Sequence, residues 1–186
     1  MSDSLIVWFA IALALFWSVG AYNRLMRLRS QSILAFATLE NFFNQYVSLV
    51  KTHFEQADAV HFVPDPDRGD DEFVTAWAGL AAAAEQFNAS LKVAHVQPLN
   101  GPTMSALKTA YETLHLSWVR LRDLPHDLAG SALPVALQSE WEHVAMQEKA
   151  ARAEFNRLVA SYNEGIEQFP AMWLAWVFGF KPALPL

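Results

Sequence analysis

The N-terminal part of the chain is a long apolar segment, and the positions after it alternate between apolar and polar with a helical period. Residues 5 to 22 (LIVWFAIALALFWSVGAY) form an apolar run without a charged side chain, and Arg24 is the first charged residue after it. Such a run approaches the roughly 20 residues needed to cross a hydrocarbon core of about 30 Å. The pattern therefore predicts an N-terminal tail and transmembrane anchor over residues 1–22.

A cleaved secretory signal is the alternative interpretation of this run. Residues 19–21 (VGA) resemble a small-residue cleavage site. The N-terminal MSDS lacks the positive charge of a signal peptide, whereas Arg24, Arg27 and Arg29 follow the run, which favours an uncleaved anchor. Through the positive-inside bias, the same arginines predict that the N-terminus lies outside and the rest of the chain in the cytoplasm. The alternative places the rest of the chain in the periplasm.

Four helices with amphipathic spacing follow the anchor. The first helix continues from the anchor without a breaker to the turn-rich loop 63–72, after which the second begins. Segment 98–102 separates the second helix from the third, and segment 125–134 separates the third from the fourth, which reaches Pro170. Short connections make neighbouring helices antiparallel. The predicted fold is all-α: an N-terminal transmembrane helix that continues into a long antiparallel four-helix bundle over residues 23–170, with a core extending to Phe169.

The C-terminal segment 171–186 is predicted to be an apolar interfacial tail. A chain that leaves the membrane on its first bundle helix returns to it on the fourth, and residues 170–180 (PAMWLAWVFGF) are too short to span. Tryptophan rings suit the headgroup level, so we expect this tail to meet lipid or a neighbouring subunit. The alternative is a tail folded onto its own bundle. The residues predicted to contact lipid are Trp8, Phe9, Phe16, Trp17, Arg24, Arg27, Arg29, Trp173, Trp176, Phe178, Phe180 and Lys181.

The composition narrows the classes of function. The formal net charge is -6, and the only basic cluster follows the anchor, whereas nucleic-acid binding needs a clustered basic face. We therefore expect no nucleic-acid partner and interpret the cluster as topology control plus attraction to anionic lipid headgroups. The chain contains no cysteine, which excludes disulfides, thiolate metal ligands and thiol catalysis.

Two Glu-x-x-His pairs have the spacing that di-iron bundle proteins use. They are Glu112 with His115 and Glu140 with His143. Such a site needs inward projection, but apolar residues already occupy the inward positions of both helices. We interpret both pairs as surface charges, and we expect no metal site, cofactor or catalytic residue.

Two polar residues, His53 and Glu148, lie on the apolar lines of the first and fourth helices. Buried ionisable groups are costly unless they are paired. If the two helices are antiparallel, the depths of these residues agree within about two turns, so a His-Glu contact is possible. The pair is interpreted as a polar core layer that fixes register, with a functional site as the alternative.

Both ends of the chain carry a recognisable series of residues. Residues 22–29 read YNRLMRLR, and ARAEFN at 151–156 is followed by Val159, YN at 162–163, QFP at 168–170 and FGFKP at 178–182. This order and spacing resemble the YNxLxxLR opening and the ARxxYN, VxxYN, FP and FGF-P series of the LemA family of bacterial membrane proteins. The matching positions are Tyr22, Asn23, Leu28, Arg29, Arg152, Asn156, Tyr162, Asn163, Phe169, Pro170, Gly179 and Pro182. Residues 40–52 (ENFFNQYVSLVKT) depart from the family's basic, isoleucine-proline-containing stretch, which marks a divergent member.

The resemblance implies a single anchor in the bacterial inner (cytoplasmic) membrane and a long four-helix bundle, without an established enzymatic activity. One branch of the family is associated with magnetosome membranes. We expect a non-enzymatic, membrane-anchored scaffold that forms a homo-oligomer through anchor, bundle and tail and organises membrane or partner proteins. The alternative is an adaptor or regulator of another membrane protein, such as a membrane protease. A metal-dependent bundle enzyme is a remote alternative.

Overall fold

The structure, a computed structural model of the 186-residue chain, describes residues 2–59, 70–124, 133–169 and 171–186. These residues form five helices and no strand. The helices are α1 (Ser2–Ala59), α2 (Asp70–Val96), α3 (Gly101–Arg122), α4 (Val135–Glu167) and α5 (Ala171–Phe178). The all-α prediction is confirmed. Most of the predicted loop 63–72 and of segment 125–134, together with Pro170, lies outside the described residues.

Helix α1 joins the apolar run and the packed part of the molecule in one continuous element. Its 58 residues correspond to a length of about 87 Å. The helix contains a stretch that is long and apolar enough to cross a membrane, by length and composition, and none of that window is buried in the structure. The first fully buried side chain along α1 in the described part of the chain is Leu25. The apolar run therefore projects from the packed part of the molecule, which begins at Leu25 and which we call the body.

The body is built on the contact between α1 and α4. Phe36 of α1 lies 5.7 Å from Phe155 of α4 between ring centroids, whereas Tyr46, farther along α1, lies 4.5 Å from Trp141, earlier on α4. Helix α1 also packs on α2, and α2 packs on α3. These contacts bury the apolar positions that recur every three or four residues, as their spacing predicts.

Long side chains connect α3 with α4. The rings of Trp118 and Trp141 stack with centroids 4.2 Å apart. The hydroxyl of Tyr111 reaches the carboxylate of Glu148. These contacts complete a continuous core, whose largest fully buried side chains include Tyr46, Phe36, Phe43, Phe87, Phe155, Leu39, Leu80, Leu91, Met104, Leu107 and Leu114.

The prediction that the core extends to Phe169 was wrong. Helix α4 ends at Glu167, and Gln168 has an extended backbone with ψ 133°. The helical period therefore stops before Phe169, whose side chain is 76% exposed and lies 6.2 Å from the Trp17 ring. Its neighbour is the apolar run of α1 instead of the core.

Candidate functional site

Helix α5 lies beside the end of the apolar run of α1. The ring of Tyr22, the last residue of that run, lies 5.0 Å from Phe178 and 6.2 Å from Phe180 between centroids. The chain therefore comes back after α4 to the level at which α1 leaves its apolar run. The C-terminal aromatic residues and the predicted anchor meet at one end of the molecule.

Helix α5 presents an aromatic face outward. Trp176 is 80% exposed, while Ala175 is buried against the body. The exposed large apolar side chains that form this aromatic face are Met172, Trp173, Trp176, Val177 and Phe178. A contiguous apolar surface of this kind marks a contact with a partner or a membrane.

Gly179 ends α5 and turns the chain back onto the body. Its backbone has φ +67°, a left-handed conformation that favours glycine. The N–H of Phe180 donates to the carbonyl of Ala175 at 2.9 Å, and the N–H of Gly179 donates to that of Trp176 at 3.4 Å. This is the hydrogen-bond pattern of a Schellman motif, which satisfies the last carbonyls of the helix. Residues after Gly179 then leave the helix direction.

Three side chains of α4 hold the C-terminal residues, and we call them the tail clasp: Asn156, Tyr162 and Asn163. The Asn163 amide accepts from the N–H of Ala183 and donates to its carbonyl, both at 2.9 Å. Asn156 makes the same pair of bonds to Leu186, at 2.9 Å and 2.6 Å. The Tyr162 hydroxyl donates to the carbonyl of Lys181 at 3.1 Å.

The spacing of the clasp matches the two kinds of backbone that it joins. Asn156 and Asn163 are seven helical residues apart, or about 10.5 Å. Ala183 and Leu186 are three residues apart, which spans about 10 Å in an extended chain. Each asparagine can therefore bond both the N–H and the carbonyl of one tail residue, and the tail runs along α4 in the opposite direction.

The predicted interfacial tail 171–186 thus has two parts with different surroundings. Helix α5 exposes its aromatic face, while residues 180–186 follow α4, with Ala183 buried and Phe180 half-buried. Residues 180–186 are therefore folded onto the body of their own chain, which is the alternative interpretation of the tail. Asn156, Tyr162 and Asn163 belong to the predicted family motif, which does not assign them this role. The seven-residue spacing of Asn156 and Asn163 was the available signal in the sequence.

The basic residues after the apolar run lie on the surface at the same end as α5. Arg24, Arg27, Arg29 and Lys181 are all exposed. The Nη1 of Arg24 donates to Oε1 of Gln168 at 3.3 Å. In the described ranges none of the four forms an ion pair, so their positive charge is available to a ligand or a surface.

Seven of the other predicted lipid-contacting residues are exposed: Trp8, Phe9, Phe16 and Trp17 along α1, and Trp173, Trp176 and Phe178 on α5. Phe180 is half-buried. Of the remaining motif positions, Asn23 and Pro182 are exposed, and Leu28 is half-buried near Gly165.

Glu148 is the centre of a buried polar network and is 2% exposed. Its Oε2 accepts a hydrogen bond of 3.1 Å from the Tyr111 hydroxyl. Nε of Arg152 lies 3.1 Å from its Oε1, as an ion pair outside hydrogen-bond geometry. The Arg152 guanidinium also lies 5.3 Å from the centre of the Tyr111 ring, and the Tyr46 ring lies 6.5 Å from the Tyr111 ring between centroids. The carboxylate is therefore paired on both oxygens.

Burial controls the ionisation of this network. Removal from water raises the pKa of Glu148, and the Arg152 charge and the Tyr111 hydrogen bond lower it only in part. Burial is likewise the main cause that raises the pKa of Tyr46 and Tyr111, and the Glu148 carboxylate contributes to both shifts. Glu148 therefore occupies a position where its charged form is disfavoured.

The predicted contact between His53 and Glu148 is not formed. Nδ1 of the partly buried His53 lies 3.0 Å from the carbonyl oxygen of Leu49 within its own helix. Because Tyr46 pairs with Trp141, Glu148 lies two turns toward one end of the body and His53 two turns toward the other. Each offset is seven residues, or about 10.5 Å, so the two residues are about 20 Å apart along the axis. A polar core residue does exist at Glu148, as predicted, but its partners are Tyr111 and Arg152.

The two Glu-x-x-His pairs lie on the surface, as predicted. Glu112, His115, Glu140 and His143 are all exposed. Across the described ranges no group of three His, Cys, Asp or Glu side chains is placed to hold a metal ion.

A comparison of the chain with protein-family models, with curated proteins and with solved structures finds no match. The resemblance to the LemA family stays a prediction from the sequence.

Proposed function

We propose that the chain is a non-enzymatic, membrane-anchored scaffold that self-associates and organises membrane or partner proteins. The observation that carries this proposal is the aromatic face of α5 beside Tyr22, where the apolar run of α1 ends. Tryptophan rings concentrate at the boundary between lipid and water. With the anchor, this face gives the molecule a broad apolar end and a long polar body.

The proposed architecture is an antiparallel four-helix bundle that continues from the anchor. Its support is the reversed order of contacts, with Phe36 beside Phe155 and Tyr46 beside Trp141. Antiparallel helices joined by short connections return the chain to its starting level. This topology explains why α5 lies beside α1.

The proposed location is the bacterial inner membrane, with the N-terminus outside and the bundle in the cytoplasm. Arg24, Arg27 and Arg29 support this orientation through the positive-inside bias. Because the chain has no cysteine, Ala82, exposed on α2, can be replaced by a single cysteine. A membrane-impermeant thiol reagent should label Ala82→Cys only after cells are opened. Labelling in intact cells would place the bundle outside.

Self-association is proposed to involve the apolar end of the molecule, where anchors and α5 helices of neighbouring copies lie side by side. Burial of tryptophan rings between copies would stabilise the assembly by about 25 cal/mol per Å2 of apolar area. The same aromatic face would meet lipid at the rim of the assembly. The body would then project from the membrane and present its polar surface to partner proteins.

The test is the particle mass of the full chain extracted together with native lipid. We expect a mass several times that of one chain, and a clear reduction in the double variant Trp173→Ser/Trp176→Ser. Leu116→Ser is the matched control, because Leu116 is a similarly exposed apolar residue on α3. A monomeric parent protein would reject the self-associating scaffold and favour the adaptor.

The exposed positions of Glu112, His115, Glu140 and His143 favour the scaffold over a metal-dependent enzyme. Di-iron bundle sites require such pairs to project inward together. We also propose a divergent relationship to the LemA family. Its support is that Asn156, Tyr162 and Asn163 act together in one structural task, the attachment of the C-terminal residues to α4.

A further inference from the structure

A cleft of about 430 Å3 lies between α1, the turn that joins α2 to α3, and the residues after α5. Its volume is within the range of about 300 to 1,000 Å3 that is usual for small-molecule sites. Arg29 and Lys181 line it, together with Gln97, Asn100 and Tyr162. Neither an aspartate nor a glutamate lines this cleft, although the chain has a net charge of -6.

Three side chains at this cleft, Arg29, Lys181 and Asn100, keep donors that can bind an anion. The side chains of Arg29 and Lys181 form no ion pair within the described ranges. The Oδ1 of Asn100 already accepts from the N–H and the hydroxyl of Thr103, which leaves its NH2 group as a donor. Asn100 also caps α3, whose N-terminal end adds a partial positive charge.

Apolar residues also line the cleft, namely Phe178, Phe180 and Leu99. Phe178 and Phe180 contact Tyr22, so this part of the cleft adjoins the end of the apolar run of α1. Arg29 follows Tyr22 by seven residues, or about 10 Å along the helix. Headgroup layers extend about 5 to 8 Å beyond the hydrocarbon core, and an arginine side chain covers the remaining distance.

From this arrangement we infer that the cleft binds the phosphate group of an anionic glycerophospholipid. Arg29 and Lys181 are the cationic partners of the phosphate, and Phe178 and Phe180 lie beside the glycerol backbone of the lipid. The inference rests on the proposed placement of this end of the molecule at the membrane surface, and it names the ligand class of that site. Charge-assisted hydrogen bonds to phosphate hold such a headgroup. Basic pockets near membrane helices recognise anionic lipids in the same way.

The probes are short-chain phosphatidylglycerol, phosphatidylcholine of equal chain length, and inorganic phosphate. Each is titrated into the full-length protein in a neutral detergent, and bound molecules are counted by native mass spectrometry. We expect phosphatidylglycerol to bind at least about tenfold more tightly than phosphatidylcholine. The double variant Arg29→Gln/Lys181→Gln should weaken phosphatidylglycerol binding by about tenfold or more, because it removes two charged donors.

The matched control is Arg24→Gln/Arg27→Gln, which removes the same charge at the same end of α1 from residues that do not line the cleft. This control should change binding by less than about twofold. Equal losses in both double variants would mean diffuse surface attraction and would overturn the inference. Equal binding of the two lipids would also overturn it. If inorganic phosphate bound as tightly as phosphatidylglycerol, the result would support a phosphate site but would overturn the inference that its ligand is a lipid.

Two further measurements separate this inference from the proposed function. Helix content by circular dichroism should be equal in all variants, because the Lys181 carbonyl, and not its side chain, bonds Tyr162. Resistance to alkaline extraction from membranes should also be unchanged, since the anchor is intact. A parent protein removed by alkali would reject the anchored scaffold, while selective binding of phosphatidylglycerol in detergent would still support the cleft.

Discussion

The Tyr111 hydroxyl of α3 donates a hydrogen bond of 3.1 Å to Oε2 of Glu148 on α4, inside the body. This bond connects two helices that otherwise meet through long aromatic side chains such as Trp118 and Trp141. A buried carboxylate that lost its partners would be strongly destabilising. The pair therefore couples the position of α3 to that of α4 and the ionisation of Glu148 to folding.

The first prediction concerns pH. Burial raises the pKa of Glu148 in the folded protein above the usual 4.5. The stability contributed by this group is therefore present below about pH 4.5 and is lost as the pH rises through the folded pKa. Relative to Glu148→Gln, the parent protein should lose stability as pH increases across that window. Thermal unfolding of the full chain in detergent, followed by circular dichroism, measures the difference. Glu112→Gln, at an exposed carboxyl on α3, should leave the pH profile of the parent unchanged.

The second prediction concerns coupling. In a double-mutant cycle, Tyr111→Phe and Glu148→Gln should be non-additive by about 0.5 to 3 kcal/mol in unfolding free energy, because the residues share a buried bond. His53→Ala and Glu148→Gln should be additive within about 0.5 kcal/mol, since the two sites lie several turns apart. Chemical unfolding of the four proteins of each cycle gives both values. A coupling larger for His53 than for Tyr111 would contradict the observed register of α1 and α4.

The third prediction concerns the tail clasp. Asn163→Ala removes both bonds to Ala183, each worth about 1 kcal/mol, and should release the residues after Gly179 from α4. Hydrogen exchange of the backbone amides at Ala183 and Leu186 should become faster, while exchange within α4 stays slow. Glu164→Ala is the control, because Glu164 is the exposed neighbour on the same turn. Unchanged protection of Ala183 in Asn163→Ala would show that apolar contacts alone hold this segment.

The fourth prediction compares two helical glycines. A Cβ added at Gly79 meets nothing within 4 Å, so Gly79→Ala should stabilise the protein by roughly 0.5 to 1 kcal/mol through helix propensity. A Cβ added at Gly165 would lie 2.9 Å from Cδ1 of Leu28 and 3.3 Å from Cδ2 of Leu25. Gly165→Ala gains the same propensity but must displace those side chains, so it should be less stable than Gly79→Ala. Melting temperatures of the two variants decide this, and equal gains would mean that α1 adapts without cost.

The sequence by itself determined the features that depend on local periodicity. The apolar run, the helices and the alternation that buries residues such as Leu39, Phe87 and Leu107 follow from side-chain spacing. A helical residue has its face fixed by its neighbours three and four positions away. The exposed positions of the Glu-x-x-His pairs could be predicted for the same reason.

Only the tertiary structure decided the features that depend on register between segments. A helical pattern specifies which face is buried but not the axial offset of two helices, so Glu148 was assigned to His53 although it meets Tyr111 and Arg152. The position of Phe169 depended on where α4 ends. The attachment of Ala183 to Asn163 joins an extended segment to a helix across 20 residues of sequence. No single sequence period covers both, because a helix advances by about 1.5 Å per residue and an extended chain by about 3.3 Å.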